Sequence, residues 1–235
     1  MGVWEKIQAG LKAVAEGLLD LVLSPFRLLR LVCLVLGFGV LGTGALGSLY
    51  VYHFYRSLPN LAHLSFDQLK ERARTQVLAH LEDKTRLRPW VSLKEINRDF
   101  LFAIVMSEDS KFFEHKGLNY DAIIDSLAEN LRRREYAFGA STLTQQVVKN
   151  LFLDHEKTLT RKFKEFLITR SLETHFSKNQ IVELYLNIAE FGPDLYGAGA
   201  AAQRIFKKNP AQINAAECAF IALMLPSPRR NFYAI

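Results

Sequence analysis

From Leu31 to Tyr55 the chain reads LVCLVLGFGVLGTGALGSLYVYHFY, 25 residues without one Asp, Glu, Lys or Arg. At 1.5 Å per residue, about 20 such residues cross the hydrocarbon core of a bilayer. Arg27 and Arg30 stand on one side; Tyr50, Tyr52 and Tyr55 form an aromatic belt before Arg56 on the other. A cleavable leader is the rival reading, but the run is too long, begins after thirty residues and lacks a clear cleavage pattern. The spacing of Gly44 and Ser48 permits close helix approach. The sequence therefore predicts a single-pass, uncleaved signal anchor. The arginine imbalance predicts a cytoplasmic N-terminus, with the rest of the chain outside the cytoplasmic membrane.

The flanks divide the chain into four segments: 1–30, an N-terminal cytoplasmic amphipathic segment; 31–55, the span; 56–95, a connector with a membrane-proximal helix; and 96–235, the outer domain. Before the span, Trp4, Ile7, Leu11, Val14, Leu18 and Leu21 recur at three- and four-residue steps, one apolar helical stripe that Pro25 should end. That stripe suits a membrane surface, a partner helix, or packing on itself or on lipid. A hydrophobic content of 49% excludes disorder. Thirty Lys plus Arg against 24 Asp plus Glu point to an anionic partner, or to a mildly biased surface. Cys33 and Cys218 have neither metal-ligand spacing nor a disulfide framework.

The outer part reads as mainly helical. Phe66, Leu69, Val77 and Leu81 mark an amphipathic helix that Pro89 should close. Capping boxes at Ser92–Glu95, Ser177–Gln180 and Asn214–Glu217 mark helix starts, the first opening the helix that ends in AIVM. Further helices are expected near 119–133, 141–151, 158–175, 178–190 and 211–224. No convincing strand, repeat or low-complexity tract is readable.

Four stretches carry chemistry. In MSEDSKFFEHKG, Glu108 and Asp109 follow an apolar helix and precede Phe112, Phe113, His115 and Gly117. A carboxylate beside aromatics at a helix end can lose water and gain the basicity needed to take a proton near neutrality, although most such pairs are solvated helix ends. In GASTLTQQVVKN, Gly139 precedes Ser141 and Thr142, which can cap a helix bearing Thr144, Gln145, Gln146, Lys149 and Asn150. That set fits oligosaccharide and phosphate recognition, or a well-capped surface helix. In EKTLTRKFKE, Lys157, Arg161 and Lys164 share a helix face, while Glu165 stands four beyond Arg161, the spacing of an ordinary ion pair. In SKNQIVELYLNIAEFG, Ile181, Leu184, Tyr185 and Ile188 form one apolar, core-like face.

In order and spacing these stretches resemble the peptidoglycan glycosyltransferase domain of glycosyltransferase family 51. The resemblance rests on Glu108-Asp109 with Phe112, His115 and Gly117, on Gly139 through Asn150, on Arg161-Lys162 with Glu165, and on Lys178 through Asn187. It continues through AAAQRIF and LPSP, over roughly residues 98 to 228, and with one anchor and no room for a transpeptidase domain it resembles the monofunctional form. It implies a lysozyme-like helical domain that polymerises lipid II into β-1,4-linked glycan strands by inverting transfer with loss of polyprenyl pyrophosphate. Such a reaction belongs to cell-wall biogenesis at the inner membrane. A sugar-hydroxyl acceptor needs a base, and a pyrophosphate leaving group needs cations more than a proton donor.

By resemblance Glu108 is the catalytic base, and Glu165 the second catalytic carboxylate, organising the cations or helping to place a divalent metal. Lys149, Arg161 and Lys157 would hold phosphates; Ser141, Gln146 and Asn150 would contact sugar or phosphate. Asp109, Phe112, His115, Thr142, Gln145 and Lys162 complete the expected binding set. Lys157 stands where the family commonly has Arg, and the chain ends at RRNFYAI, where relatives usually continue with another helix. A Mg or Mn ion near Glu165 and no organic cofactor are implied. The implied partners are lipid II, the growing lipid-linked glycan, membrane lipid, and other cell-wall synthesis or division proteins. Two other functions compete: a lysozyme-like hydrolase or lytic enzyme, and a membrane-tethered scaffold using the Trp4 stripe. The basic cluster favours synthesis over cleavage, and its position beyond a span and beside acids argues against nucleic acid.

Overall fold

The computed structural model describes residues 2–135, 139–154, 156 and 158–233. Lys157 lies outside them, and the side chains of Leu21, Arg27 and Arg30 lie outside the described side chains. The chain divides into two compact units, Met1–Leu58 and Pro59–Ile235.

The first unit is one helix, α1 (Val3–Arg56). Pro25 does not end it. A proline inside a helix removes one hydrogen bond and crowds the carbonyl four residues back, a cost of about 3 kcal/mol; here Leu- and Ala-rich sequence on both sides continues the helix through it. The stretch Val32–His63 is long and apolar enough to cross a membrane. Within it the Thr43 and Ser48 hydroxyls donate to the carbonyls of Gly39 and Gly44, satisfying both polar side chains inside their own helix. The stripe residues Trp4, Ile7, Leu11, Val14 and Leu18 are exposed.

The second unit is built from α2 (Phe66–His80), α3 (Arg98–Glu108), α4 (Tyr120–Arg133), α5 (Leu143–Phe152), α6 (Leu159–His175), α7 (Lys178–Ile188), α8 (Ala198–Phe206), α9 (Ala215–Ala222) and α10 (Pro228–Phe232). A short antiparallel hairpin, β1 (Glu190–Gly192) and β2 (Leu195–Tyr196), lies between α7 and α8, where no strand is legible in the sequence. Its reversal uses Asp194 in the left-handed region, anchored by the Glu82 N–H and by Arg86.

α5 is the hub: it packs on α6, α7 and α2, while α3 packs on α9. Leu143, Val147 and Leu151 recur every four residues along α5, and all are buried, with Val148 beside them. Each such side chain contributes about 1.5–3 kcal/mol on leaving water. Ile181, Leu184, Tyr185 and Ile188 of α7 meet them, so the apolar face read from the sequence is core.

The helices expected at 178–190 and 211–224 are shorter, Lys178–Ile188 and Ala215–Ala222, and two boundaries in this unit depart further from expectation. The Ser92–Glu95 capping box closes a single 3₁₀ turn, and α3 starts only at Arg98, capped by the Asn97 side chain. Glu183 is the cause. Its carboxylate takes the Leu93 N–H and the Trp90 indole, and Asn187 brackets Val91 by both its N–H and its carbonyl, pinning this segment to α7 before a helix can propagate. α2 stops at His80, nine residues before Pro89, because the next residue, Leu81, takes an extended backbone that buries its side chain.

Candidate active site

α3 ends at Glu108 because Asp109 adopts an extended backbone. That turn sends the two neighbouring carboxylates in different directions. Asp109 points into the fold and is 7% exposed. It accepts the Leu143 N–H at 3.1 Å, and both of its oxygens lie 3.0 Å from His115 Nε2. His115 Nδ1 accepts the Gly117 N–H at 3.1 Å, which places the imidazole proton on Nε2, donating to Asp109. The Gly117 carbonyl accepts the Thr142 hydroxyl at 2.7 Å, and Thr142 caps α5 in a reciprocal pair with Gln145. The result is a closed ring, Asp109–His115–Gly117–Thr142–Leu143, that joins the end of α3 to the start of α5. Gly117 has φ +90°, and a Cβ there would lie 2.7 Å from Thr169 Cγ2, so only glycine fits without strain.

Glu108, freed from that ring, is half-buried and lines a cleft of about 200 Å³ with Ser107, Gly139, Ser141 and Thr142. Its Oε2 accepts a 2.6 Å hydrogen bond from Gln146 Nε2. The buried Tyr185 phenol lies beside the same carboxylate; burial first, and the Glu108 charge second, push its ionisation well above the ordinary phenol range. The sequence reading assigned Tyr185 to the core alone. Ser141 is exposed at the cleft, whereas Phe112 is fully buried, edge-on to Phe113 at 5.0 Å and under the Lys178 ammonium at 4.3 Å.

One residue before Gln146, the buried Gln145 turns the other way, and its Nε2 donates to Glu165 Oε1 at 3.2 Å. Glu165, on α6 and 2% exposed, also takes Arg161 Nη1 at 3.1 Å and the Lys162 ammonium. Arg161 Nε is buried with no hydrogen-bond partner among the described residues. Adjacent glutamines of one helix thus hold the two glutamates.

Lys149 is exposed and Asn150 half-buried; both line a second cleft of about 450 Å³, whose walls share no residue with the first. Even so, Lys149 and Asn150 follow Gln146 by three and four positions, so all three share one face of α5, about 4.5–6 Å apart along its axis. The structure therefore groups Glu108, Asp109, Ser141 and Thr142 at one cleft, Lys149 and Asn150 at the next, and Arg161, Lys162 and Gln145 around Glu165. Asp109 and Thr142 line the first cleft and are tied to His115 and Gly117, while His115 and Phe112 are not part of its lining.

The residues around Glu165 do not fit a divalent cation. Both carboxylate oxygens already face cationic donors, and the described residues contain no group of three or more His, Cys, Asp or Glu suited to a metal.

Residues 74–234 match the Transglycosylase family, a span that contains all four sequence stretches and begins inside the segment read as a connector. A biosynthetic peptidoglycan transglycosylase of Herminiimonas arsenicoxydans is 41% identical over 158 residues, 66% of this chain and 68% of that protein. The protein of that name from Janthinobacterium sp. (strain Marseille) is 38% identical over 159 residues, 67% of this chain and 69% of its own. A third, from Pectobacterium carotovorum, is 45% identical over 141 residues, 60% of this chain and 58% of its own. By its helical fold, by the stretches that build its cleft and by these likenesses, the chain belongs to the transglycosylase family.

Proposed function

We propose that this chain is a peptidoglycan glycosyltransferase that polymerises lipid II into β-1,4-linked glycan strands at the outer face of the cytoplasmic membrane, anchored by its N-terminal helix. One observation carries the reading. A carboxylate at a cleft is oriented by Gln146, and the next turn of the same helix face carries Lys149. In the reaction, Glu108 takes the proton of the acceptor sugar hydroxyl as its oxygen attacks the donor anomeric carbon from the face opposite the leaving group. The carbon–oxygen bond to the diphosphate breaks with inversion, and the polyprenyl diphosphate departs with the bonding electrons. Lys149 and Arg161 neutralise the charge that develops there. A positioned base of this kind accounts for about 10²–10⁴ of the rate. Glu165 fixes the Arg161 guanidinium through Nη1, leaving Nη2 for phosphate oxygens. Ser141 and Asn150 contact the sugar. No step passes through a metal.

Hydrolysis is the weaker reading. A glycosidase places two available carboxyl groups across the scissile bond. Asp109 is closed off by His115 and the Leu143 N–H, and Glu165 by two cations and an amide. Incubating the purified protein in parallel with isolated sacculi and with fluorescent lipid II separates the two. Polymer growing on the lipid is expected, and release of soluble glycan without polymer would favour cleavage.

A further inference from the structure

The second cleft contains a cation that none of the four stretches supplies. Arg72 lies on α2, two residues ahead of the family match, and faces the cleft that Lys149 enters from α5. Its side chain is held twice by the end of α5. Nε donates to the Leu151 carbonyl at 2.9 Å, and the guanidinium carbon stands 4.7 Å from the centroid of the Phe152 ring. An arginine fixed through Nε and across a ring face keeps its terminal N–H groups in a set plane, ready for two oxygens of one anion. The Lys149 ammonium has no side-chain partner among the described residues. Of the two acids on the walls, Glu190 is engaged by Arg229 at 2.8 Å, and Asp154 is exposed.

We propose that Arg72 and Lys149 form a subsite for an oxyanion carried by the lipid-linked sugar, Arg72 as a planar fork and Lys149 as a point charge. The proposal rests on the function given above and extends it to a residue outside the family stretches. Two parts of such a substrate carry this chemistry, its diphosphate and the carboxylates of its peptide stem.

The test uses the full chain in detergent. Calorimetric titration with inorganic pyrophosphate, on the Glu108→Gln protein, reads the subsite without any need for catalysis, so a wrong assignment of the base leaves it interpretable. In otherwise unaltered protein, Arg72→Gln is expected to raise KM for lipid II about tenfold with kcat within twofold. Arg72→Lys, which keeps the charge but loses the fork, should fall between. If KM rises equally for a stem-free substrate and pyrophosphate binding weakens, the anion is the diphosphate. If it rises only for the stem-bearing substrate, the anion is a stem carboxylate. Should Arg72→Gln fail to fold, Arg72→Lys carries the same measurements with a smaller expected rise. Unchanged KM for both substrates, together with unchanged pyrophosphate binding, would overturn the subsite.

Discussion

Gln146 donates to Glu108 from the helix that begins where Asp109, the next residue after Glu108, accepts the Leu143 N–H. The base and the residue that orients it are thus tied together at two points, one through side chains and one through the helix start. Loss of the Gln146 amide should leave Glu108 in place but free to rotate. Gln146→Ala is expected to lower kcat by about 10- to 100-fold, with a smaller change in KM and an unaltered circular dichroism spectrum. A rise in KM alone would mean that Gln146 binds substrate instead.

Losing the buried acid and losing its exposed cation should cost unequally at the Glu165 cluster. Glu165 is buried, so Glu165→Gln leaves Arg161 facing an amide and should destabilise the domain by about 2 kcal/mol as well as reduce activity. The Lys162 side chain is half exposed, and Lys162→Met should cost only tenths of a kcal/mol. Thermal melts of both variants check the order, and equal losses would contradict it.

Gly117→Ala places a methyl against Thr169 and forces an L-residue to φ +90°. The expected cost is about 2 kcal/mol or more. Adding Thr169→Ser removes the colliding methyl and should return part of the stability but not all of it, because the backbone strain stays. Complete recovery would show that contact alone, and not φ, requires glycine.

Alkaline pH offers a different probe. The fully buried Cys218 thiol is pushed up to about 11 from 9.0, by burial first and then by Asp99 and Glu217. The unfolded thiol ionises first, so this contribution is complete below pH 9.0 and is lost as pH rises towards about 11. Tyr185 acts in the same direction from about pH 10 upward. Melting temperatures of the wild type and Cys218→Ala, taken from pH 8 to 10.5, should therefore converge as pH rises. A constant gap would remove the linkage.

Local signals carried well from sequence to structure. The capping boxes at Ser177 and Asn214 open α7 and α9, and the α7 apolar spacing buries the face it predicts, whereas α5, read as a polar binding or surface helix, is buried along Leu143, Val147 and Leu151. The misreadings come from contacts distant in sequence. Nothing near Ser92 announces that Glu183 and Asn187 will hold its segment, and the spacing that marks Leu81 for packing does not announce its extended backbone. The residue types of the site were legible and the resemblance implied the roles of Glu108 and Glu165, but the contacts that hold them were not legible. By local chemistry alone Glu108 and Asp109 are alike, and the resemblance separated them; in the structure the turn at Asp109 leaves Glu108 at the cleft and ties Asp109 to His115. Arg72 carried no signal, because its anchors lie 79 and 80 residues away, at the end of another helix.

The central claim is that the Glu108 carboxylate takes a proton from a sugar hydroxyl. Fluorescent lipid II incubated with the wild type and with Glu108→Gln, matched for melting temperature and for pyrophosphate binding, tests it most directly. Polymer from the wild type and at least about 100-fold less from the variant is the predicted result. Polymer formed by the variant at the wild-type rate would contradict it.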